Sequence, residues 1–411
     1  MGSERRFPSH VVLAFVSGLL AIAVGCPAQA QPRVVAFGAA VSLSGTLAHE
    51  GQRTKDAYEF WKDLVNSRGG INIGGVPHKI EIRYYDDQSD ATTAAKLVEK
   101  LVTVDGVKLI LGPFGSGATF AASTVTEKYR VPMVEGMGIM QNIFDRGYRY
   151  VFTTISTTAQ TYAPLFDLLM KLPEKPRRIA LSAQSAAFPL VQIETARRFI
   201  KTQNLEEVYY GEFPSGTKDF SSMLLQIKER NPQVYIGTGY LNEHILLVKQ
   251  MKELGVNLPM VVLTLGPTYP DFRTALGKDA EYLVSDSHGW HNEITVFRDA
   301  VIGTAQDYTR VFKQKFGYVP DSNQACATAA GLVFQLALEK AGTTNPVKVR
   351  EAIASLDVTT FLGPIKYNEA GVNVKAFRLV GQVQQGEYFA VHPSAYAQRK
   401  VIYPAPKWSE R

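Results

Sequence analysis

Short apolar runs alternate with longer amphipathic stretches along residues 34–266, and this alternation predicts strands followed by helices. The segment VVAFGAAV at 34–41 is continuously apolar, as expected of a strand buried on both faces. The stretch 51–71 carries apolar residues at helical spacing and ends in a glycine pair, which predicts a helix. Such alternation favours an α/β fold with parallel sheets that are covered by helices on both faces.

The pattern comes in two rounds of about 120 to 130 residues, and this length suggests two doubly wound, Rossmann-like lobes. After Ser285 the pattern changes to mainly helical. The predicted strands are 34–41, 79–86, 107–112, 131–136, 177–184, 208–213, 233–239 and 260–266, and a final turn and hairpin span 366–391. The predicted helices are 51–71, 91–103, 119–129, 188–204, 219–230, 242–255, 305–317, 325–342 and 345–356.

Residues 1–30 have the composition of a secretory signal peptide and are left out of the fold prediction. Two arginines precede an apolar stretch at 11–25, and Ala28-Gln29-Ala30 offers a small-x-small site for cleavage after Ala30. A membrane anchor is one alternative, although the apolar stretch is short of the roughly 20 residues of a span. Lipidation at Cys26 is another. We therefore expect a protein exported to the periplasm.

Composition narrows the possible partners. Hydrophobic residues make up 45% of the 411 residues and charged residues 20%, which is ordinary for globular domains. The net charge of +6 is spread without a long basic run, so we expect no nucleic-acid partner. Without the signal peptide, Cys326 is the sequence's one cysteine, which excludes an internal disulfide and suits a packed core position.

A glycine-rich loop follows the predicted strand at 107–112. In LILGPFGSGATFAAS, residues 109–123, three glycines lie between a strand and a helix, where free backbone N–H groups hold anions. The lysine of a phosphate loop and the G-x-G-x-x-G spacing are both missing. The loop therefore suits an anion other than a nucleotide.

Several stretches together resemble the branched-chain-amino-acid-type periplasmic binding proteins of ABC transporters. They occur in the same order and cover nearly all of the chain after residue 30. The stretches are GAAVSLSGTLAHEGQRTKDAYEFWKDLVNSRGGI, IEIRYYDDQSD, LILGPFGSGATFAAS, RGYRYVFTT, GTKDF and LGPIKYNEAGV.

The resemblance implies a type I periplasmic binding protein fold, a Venus flytrap whose two lobes are joined by three crossover segments. Mapped onto this chain, lobe one would comprise 33–154 plus 287–362, and lobe two 155–286 plus 363–411. Closure would trap a small ligand and create the surface that an inner-membrane permease recognises. We expect a monomer without a cofactor and without enzyme activity.

The resemblance also implies a set of ligand-binding residues. Ser116 matches the family's carboxylate-binding serine, with backbone donors near Gly115, although it could instead only cap the following helix. Aromatic side chains could enclose an apolar ligand body. The implied set is Ser116, Gly115, Phe114, His49, Glu50, Gly138, Met140, Phe188, Tyr240 and Leu265.

Two of these positions depart from the family pattern for α-amino acids. Met140 stands where amino-acid binders carry a threonine, and Leu265 stands where they carry the acid that faces the ammonium group. An unpaired ammonium in a closed cleft would cost several kcal/mol. The departures therefore point to a carboxylate without an ammonium group, such as an aromatic acid, or to a neutral apolar molecule. Glu135 could supply the missing charge or lie outside the cleft.

Other chemistry has weak support. His288 and His291 are three residues apart, but no further Cys or His lies nearby in the sequence to complete a metal site. The acidic YYDDQSD stretch at 84–90 lacks the spacing of a calcium loop. We therefore expect a transport binding protein that takes a small carboxylate, amino acid or aromatic acid; a ligand-sensing receptor or co-receptor of the same fold is the alternative.

Overall fold

The computed structural model describes Gly2, Glu4 and residues 33–411 apart from 288. Nearly all of the predicted signal peptide, its cleavage site, Cys26 and His288 therefore lie outside the described residues. None of the helices in the described part of the chain is long and apolar enough to cross a membrane.

The predicted alternation of strands and helices is present. The strands are β1 (Arg33–Val41), β2 (Ile71–Ile73), β3 (Val76–Asp86), β4 (Ile110–Leu111), β5 (Met133–Glu135), β6 (Val151–Thr153), β7 (Arg178–Gln184), β8 (Glu206–Phe213), β9 (Val234–Thr238), β10 (Met260–Leu263), β11 (Val284–Ser287), β12 (Arg298–Asp299), β13 (Gly303–Thr304), β14 (Asp357–Thr360), β15 (Gly363–Lys366), β16 (Leu379–Gln384) and β17 (Glu387–His392). The helices are α1 (Ala48–Ser67), α2 (Ala91–Thr103), α3 (Ser116–Tyr129), α4 (Gln141–Phe144), α5 (Ala163–Lys171), α6 (Ala187–Thr202), α7 (Ser221–Arg230), α8 (Leu241–Glu253), α9 (Pro270–Leu276), α10 (Ala305–Phe316), α11 (Ser322–Ala341) and α12 (Pro346–Ala354).

The strands form two large sheets. One has the order β2-β3-β1-β4-β5-β6 and is parallel except for the β2-β3 pair. The other has the order β17-β16-β11-β10-β9-β7-β8 and is parallel from β11 to β8. We call the six-stranded sheet with α1, α2, α3 and α11 the first lobe, and the seven-stranded sheet with α5 to α9 the second lobe.

The predicted α/β class is confirmed, and the described chain passes between the two lobes three times: after β6, after β11 and before β16. The residue ranges assigned to the lobes from the sequence stay a prediction.

The first lobe is held together by a close crossing of α1 and α11. Trp61 of α1 is fully buried and meets the ring of Phe37 edge-on, with 5.2 Å between the ring centroids. A Cβ atom on Gly331 of α11 would lie 2.3 Å from the Trp61 ring. Glycine at 331 therefore allows the indole to fill the space between the two helices and the sheet.

Candidate functional site

The strand order predicts a ligand-binding site at one edge of each sheet. In both sheets the parallel strands, counted along the chain, are arranged second, first, third, fourth, fifth. Ligands of such open sheets bind beyond the carboxyl ends of the strands, where the winding reverses between the first and third strands. Here these strands are β1 and β4 in the first lobe and β7 and β9 in the second. The loops that leave all four strands meet between the lobes.

Two adjoining cavities lie where these loops meet. Their volumes are about 130 Å³ and about 10 Å³, and both are lined by Phe114, Gly115, Phe188 and Tyr240. The larger cavity is also lined by Ser42, Leu47, Ser89, Ala91, Gly117, Ala118, Ala186 and Ala187, and the smaller one by Met137, Ile139 and Leu265. We call these two spaces together the cleft. No charged side chain is among these lining residues.

The N-termini of four helices converge on the cleft. Ala91 is the first residue of α2, and Gly115, Ala186 and Tyr240 are the N-cap residues of α3, α6 and α8. The caps of α3, α6 and α8 make no side-chain hydrogen bond to the first turn. The starts of α3, α6 and α8 therefore present a partial positive charge and unpaired N–H groups, which favours an anion, whereas Asp90 already caps α2.

The glycine loop has the backbone geometry that its sequence predicts. Gly115 has a φ of +86°, in the region that favours glycine. A Cβ atom on Gly112 would lie 2.3 Å from Cβ of Glu135, so a side chain is excluded there as well. The two glycines therefore let the loop lie against β5 and present the start of α3 to the cleft.

Ser116 connects two loops of the first lobe. Its Oγ accepts hydrogen bonds from the backbone N–H groups of Ile139 at 3.0 Å and Met140 at 3.2 Å. It is the first residue of α3 rather than its N-cap, so it does not cap the helix in the usual way. The hydroxyl still has a proton to donate, which is the contact that a ligand carboxylate would need. Its role in ligand binding stays a prediction.

The structure brings five of the ten sequence-predicted residues to the cleft walls. Phe114, Gly115, Phe188 and Tyr240 line both cavities, and Leu265 lines the smaller one. Phe114 from the first lobe and Phe188 and Leu265 from the second belong to one continuous buried apolar cluster. The lobes therefore contact each other through apolar side chains in this conformation.

Gly138 and Met140 lie beside the cleft rather than on its walls. Gly138 packs against Thr119, since a Cβ atom there would lie 2.1 Å from Thr119 Oγ1. Met140 is buried in the apolar core of the first lobe between α2, α3 and α4. Their neighbours Met137 and Ile139 line the cavity instead. Small and apolar residues alternate in VEGMGIMQN, and this pattern could have indicated that Met137 and Ile139 line the cavity.

His49 and Glu50 lie where the two lobes meet along α1. His49 Nε2 is 2.7 Å from Asp271 Oδ2 on α9, and the Arg53 guanidinium donates to the same oxygen at 2.6 Å. Arg53 also lies 3.8 Å from the carboxylate of Asp321, between Nη1 and Oδ2. Arg53 and Asp271 were not predicted, because an ion pair between distant segments leaves no local sequence pattern.

Two carboxyl groups in this region are buried. The side chain of Glu50 is 3% exposed and that of Asp321 is 2% exposed. Burial raises the pKa of Glu50, and the nearby carboxylate of Asp321 raises it further, against the opposing effect of His49 and Arg53. Burial likewise raises the pKa of Asp321, while Arg53 lowers it. The carboxyl groups thus depend on Arg53 for compensation of their charge.

Glu135, at the end of β5, is buried beneath the glycine loop and is not among the cleft-lining residues. Its carboxyl accepts a hydrogen bond from the backbone N–H of Gly138. Burial raises its pKa to about 8, although hydrogen bonds from Thr153 and the backbone oppose the shift. At neutral pH the group is therefore largely protonated and offers little charge to a ligand.

The candidate metal and thiol residues are engaged in other contacts. Both ring nitrogens of His291 form hydrogen bonds, one to the carbonyl oxygen of Tyr388 at 2.6 Å and one from the backbone N–H of Glu293 at 3.1 Å. Cys326 is buried in α11, and burial raises the pKa of its thiol. Within the described residues no group of three or more potential metal ligands is assembled.

A comparison with protein families decides the class of this protein. The family model described as periplasmic binding protein matches residues 34–387. The chain belongs to the periplasmic binding protein family. The resemblance to its branched-chain amino acid type is confirmed, and the periplasmic binding protein has the substrate-binding role that such proteins serve in ABC transporters.

Curated and solved relatives agree with this assignment. Leu/Ile/Val-binding protein homolog 8 of Brucella abortus is 27% identical over 386 residues, which cover 90% of this chain and 93% of the relative. LivJ of Streptococcus pneumoniae, solved in complex with isoleucine, has a TM-score of 0.77 at 22% identity and covers 88% of this chain and 100% of its own. A solute binding protein of R. palustris, solved in complex with benzoate, has a TM-score of 0.75 at 16% identity and covers 90% of this chain and 99% of its own. These structural similarities show the fold.

Proposed function

We propose that this periplasmic binding protein is the extracytoplasmic component of an ABC importer and that it closes on a small carboxylate that lacks an ammonium group, such as an aromatic acid. The observation that carries the proposal is the convergence of three helix N-termini without side-chain caps, those of α3, α6 and α8, on a cleft whose lining carries no charged side chain. That environment stabilises one negative charge and offers no partner for a positive one.

The rest of the cleft suits an apolar ligand body. Phe114, Phe188, Tyr240 and Leu265 surround the space beyond Gly115, and their side chains carry one hydroxyl among them. Aromatic rings of this kind pack well against a flat apolar ligand. A ligand whose carboxylate faces the start of α3 would then bury its body between the two lobes. The relatives solved with isoleucine and with benzoate hold ligands of the size that we propose here.

Ligand-dependent thermal stabilisation tests the ligand class. A panel of benzoate, cinnamate, 4-methylpentanoate, leucine and benzamide would be added to the protein without its signal peptide. A ligand at 100 times its dissociation constant should stabilise the protein by about 2.7 kcal/mol. We expect the three carboxylates to raise the melting temperature more than leucine or benzamide. A larger shift with leucine would overturn the proposed ligand class, and no shift with any compound would oppose a binding function for this cleft.

Delivery to a permease is a separate part of the proposal. Closure on the ligand would bring the two lobes into the arrangement that a membrane partner can distinguish from the open form. The test is the ATPase activity of candidate ABC permeases of the branched-chain amino acid type from the same organism, reconstituted in liposomes. We expect the ligand-loaded protein to stimulate ATP hydrolysis more than the ligand-free protein. Equal activity with both would contradict the transport role and favour a sensory one.

A further inference from the structure

A second and larger cavity lies along the contact between the lobes. Its volume is about 340 Å³, well above that of either part of the cleft. Its walls come from α9 of the second lobe, from the start of α11 of the first lobe, and from the segments 290–293 and 387–389. It shares no lining residue with the cleft, so it is a distinct space.

The side chains of this cavity carry an excess of negative charge. Glu293, Asp321 and Glu387 face one cation, Arg273, among the lining residues. Arg273 is already engaged, since its Nη1 donates to the carbonyl oxygens of Pro267 and Thr268 and its Nη2 lies 3.3 Å from Glu387. The hydrogen-bonding N–H groups of Arg273 thus go to Pro267, Thr268 and Glu387, while Glu293 accepts from the Gln306 amide and Asp321 lies 3.8 Å from Arg53 outside the cavity lining.

Asp321 is the buried carboxylate among these groups. Its Oδ1 accepts the hydrogen bond of Asn323 N–H at 2.8 Å and so caps α11, which satisfies the start of that helix. Its Oδ2 is buried without a hydrogen-bond partner, and the nearest cation is Arg53 at 3.8 Å. Arg53 Nη1 also lacks a hydrogen-bond partner, so the two atoms are paired by charge alone and Asp321 Oδ2 can accept a further donor.

Aromatic rings form the apolar part of the same cavity. Trp290, Tyr388 and Phe389 contribute to its walls. One face of Phe389 already holds the guanidinium of Arg399, at 3.6 Å from the ring centroid, so that face is occupied. Aromatic faces combined with carboxylates attract organic cations, because the ring quadrupole and the negative charge both favour a positive group.

We propose that this cavity is a second binding site, specific for a small organic ammonium ion with an apolar body. The ammonium would lie beside Asp321 and Glu293, and the body would pack on the aromatic wall. The charge preference is opposite to that of the cleft, where helix N-termini favour an anion. Because the cavity wall takes residues from both lobes, a bound amine would also stabilise the closed arrangement.

The test uses two probes of the same size and opposite charge, benzylamine and benzoate, each titrated calorimetrically into the whole protein after signal-peptide removal. We expect benzylamine to bind the wild type. Glu293→Gln and Asp321→Asn should each weaken benzylamine binding by about threefold or more, while benzoate binding is unchanged. Asn is also a good N-cap residue, so Asp321→Asn should keep α11 capped. A matched cleft variant, Phe188→Ala, should weaken benzoate and leave benzylamine unchanged.

The outcomes separate the two sites. Competition between benzylamine and benzoate for one site, or benzylamine affinity that neither carboxylate variant alters, would overturn the second site. Absence of benzylamine binding up to millimolar concentration would also overturn it. Competition would also count against the anion preference of the cleft, whereas the other two results do not bear on the cleft, whose failure would appear as a loss of benzoate binding. The second site therefore does not depend on the proposed function.

Discussion

Arg53 of the first lobe donates a hydrogen bond to Asp271 of the second lobe, with 2.6 Å between Nη2 and Oδ2. The guanidinium side chain is 10% exposed and the carboxylate 50% exposed, so the pair lies at the edge of the contact between the lobes. His49 lies within 2.7 Å of the same oxygen. Asp271 therefore joins α9 to α1 in this conformation, and separation of the two lobes would break these contacts.

The variant Asp271→Asn should weaken ligand affinity by destabilising the closed form. Because Asp271 is half exposed, the loss should be modest, about 1 kcal/mol or roughly fivefold in affinity. The measurement is calorimetric titration of benzoate, with small-angle scattering to follow closure. Asp279→Asn is the control, because Asp279 pairs with Lys252 at 2.8 Å within the second lobe. Equal losses in both variants would show that the effect is not specific to closure.

The hydroxyl of Ser116 should contribute to stability as well as to ligand binding. Ser116→Ala leaves two buried N–H groups, those of Ile139 and Met140, without their acceptor, which should cost about 1 to 3 kcal/mol of unfolding free energy. Ser123→Ala on the same helix is the matched control, since that buried hydroxyl donates to the Phe120 carbonyl at 3.0 Å. Denaturant unfolding with and without benzoate measures both effects. An unchanged benzoate affinity would assign Ser116 to loop positioning alone.

Much of the fold could be predicted because the period of hydrophobicity is a local property. The helix at 91–103 agrees with the prediction at both ends, and in the structure Asp90 caps its start by accepting the Thr93 N–H. The helix α5 was missed because Ala163–Lys171 is short and begins after Tyr162, whose left-handed conformation gives no sequence signal. The strand at 107–112 is only two residues long in the structure, because the flanking residues leave the ladder.

The candidate site could be predicted only in part. The resemblance to the family identified Gly115, Phe188 and Tyr240, and the observed strand order places the loops that carry them at one edge of each sheet. Whether a loop residue lines the cleft depends on which face of the loop turns inward. In the loop after β5, Ile139 lines the cavity and Met140 is buried in the core of the first lobe. The larger cavity near Asp321 joins segments far apart in the chain, so no local pattern could indicate it.

The side chain at 265 should decide between amino acids and simple acids. Leu265 is 4% exposed and lines the smaller cavity, so an ammonium group beside it would lack a partner. We expect the wild type to bind 4-methylpentanoate about tenfold more tightly than leucine, which has the same carbon skeleton and an added ammonium. Leu265→Glu should reverse this order by providing a carboxylate, at a cost in stability of the ligand-free protein.

The measurement is the ratio of the two dissociation constants by calorimetry. Leu265→Gln is the control, because it has the same shape as the glutamate variant without its charge. We expect this variant to weaken both ligands without reversing their order. A wild type that prefers leucine would contradict the role given to Leu265.

The buried carboxyl of Glu135 should make stability fall as pH rises. Its pKa is raised from 4.5 to about 8 in the folded protein, so between these values the folded state holds more protons than the unfolded state. The free energy of unfolding should then decrease with pH in this window, by up to about 1.4 kcal/mol per pH unit. Glu135→Gln should flatten this slope, because it removes the group that titrates. Denaturant unfolding at pH 5, 6, 7 and 8 measures the slopes, and equal slopes for wild type and Glu135→Gln would contradict the assignment.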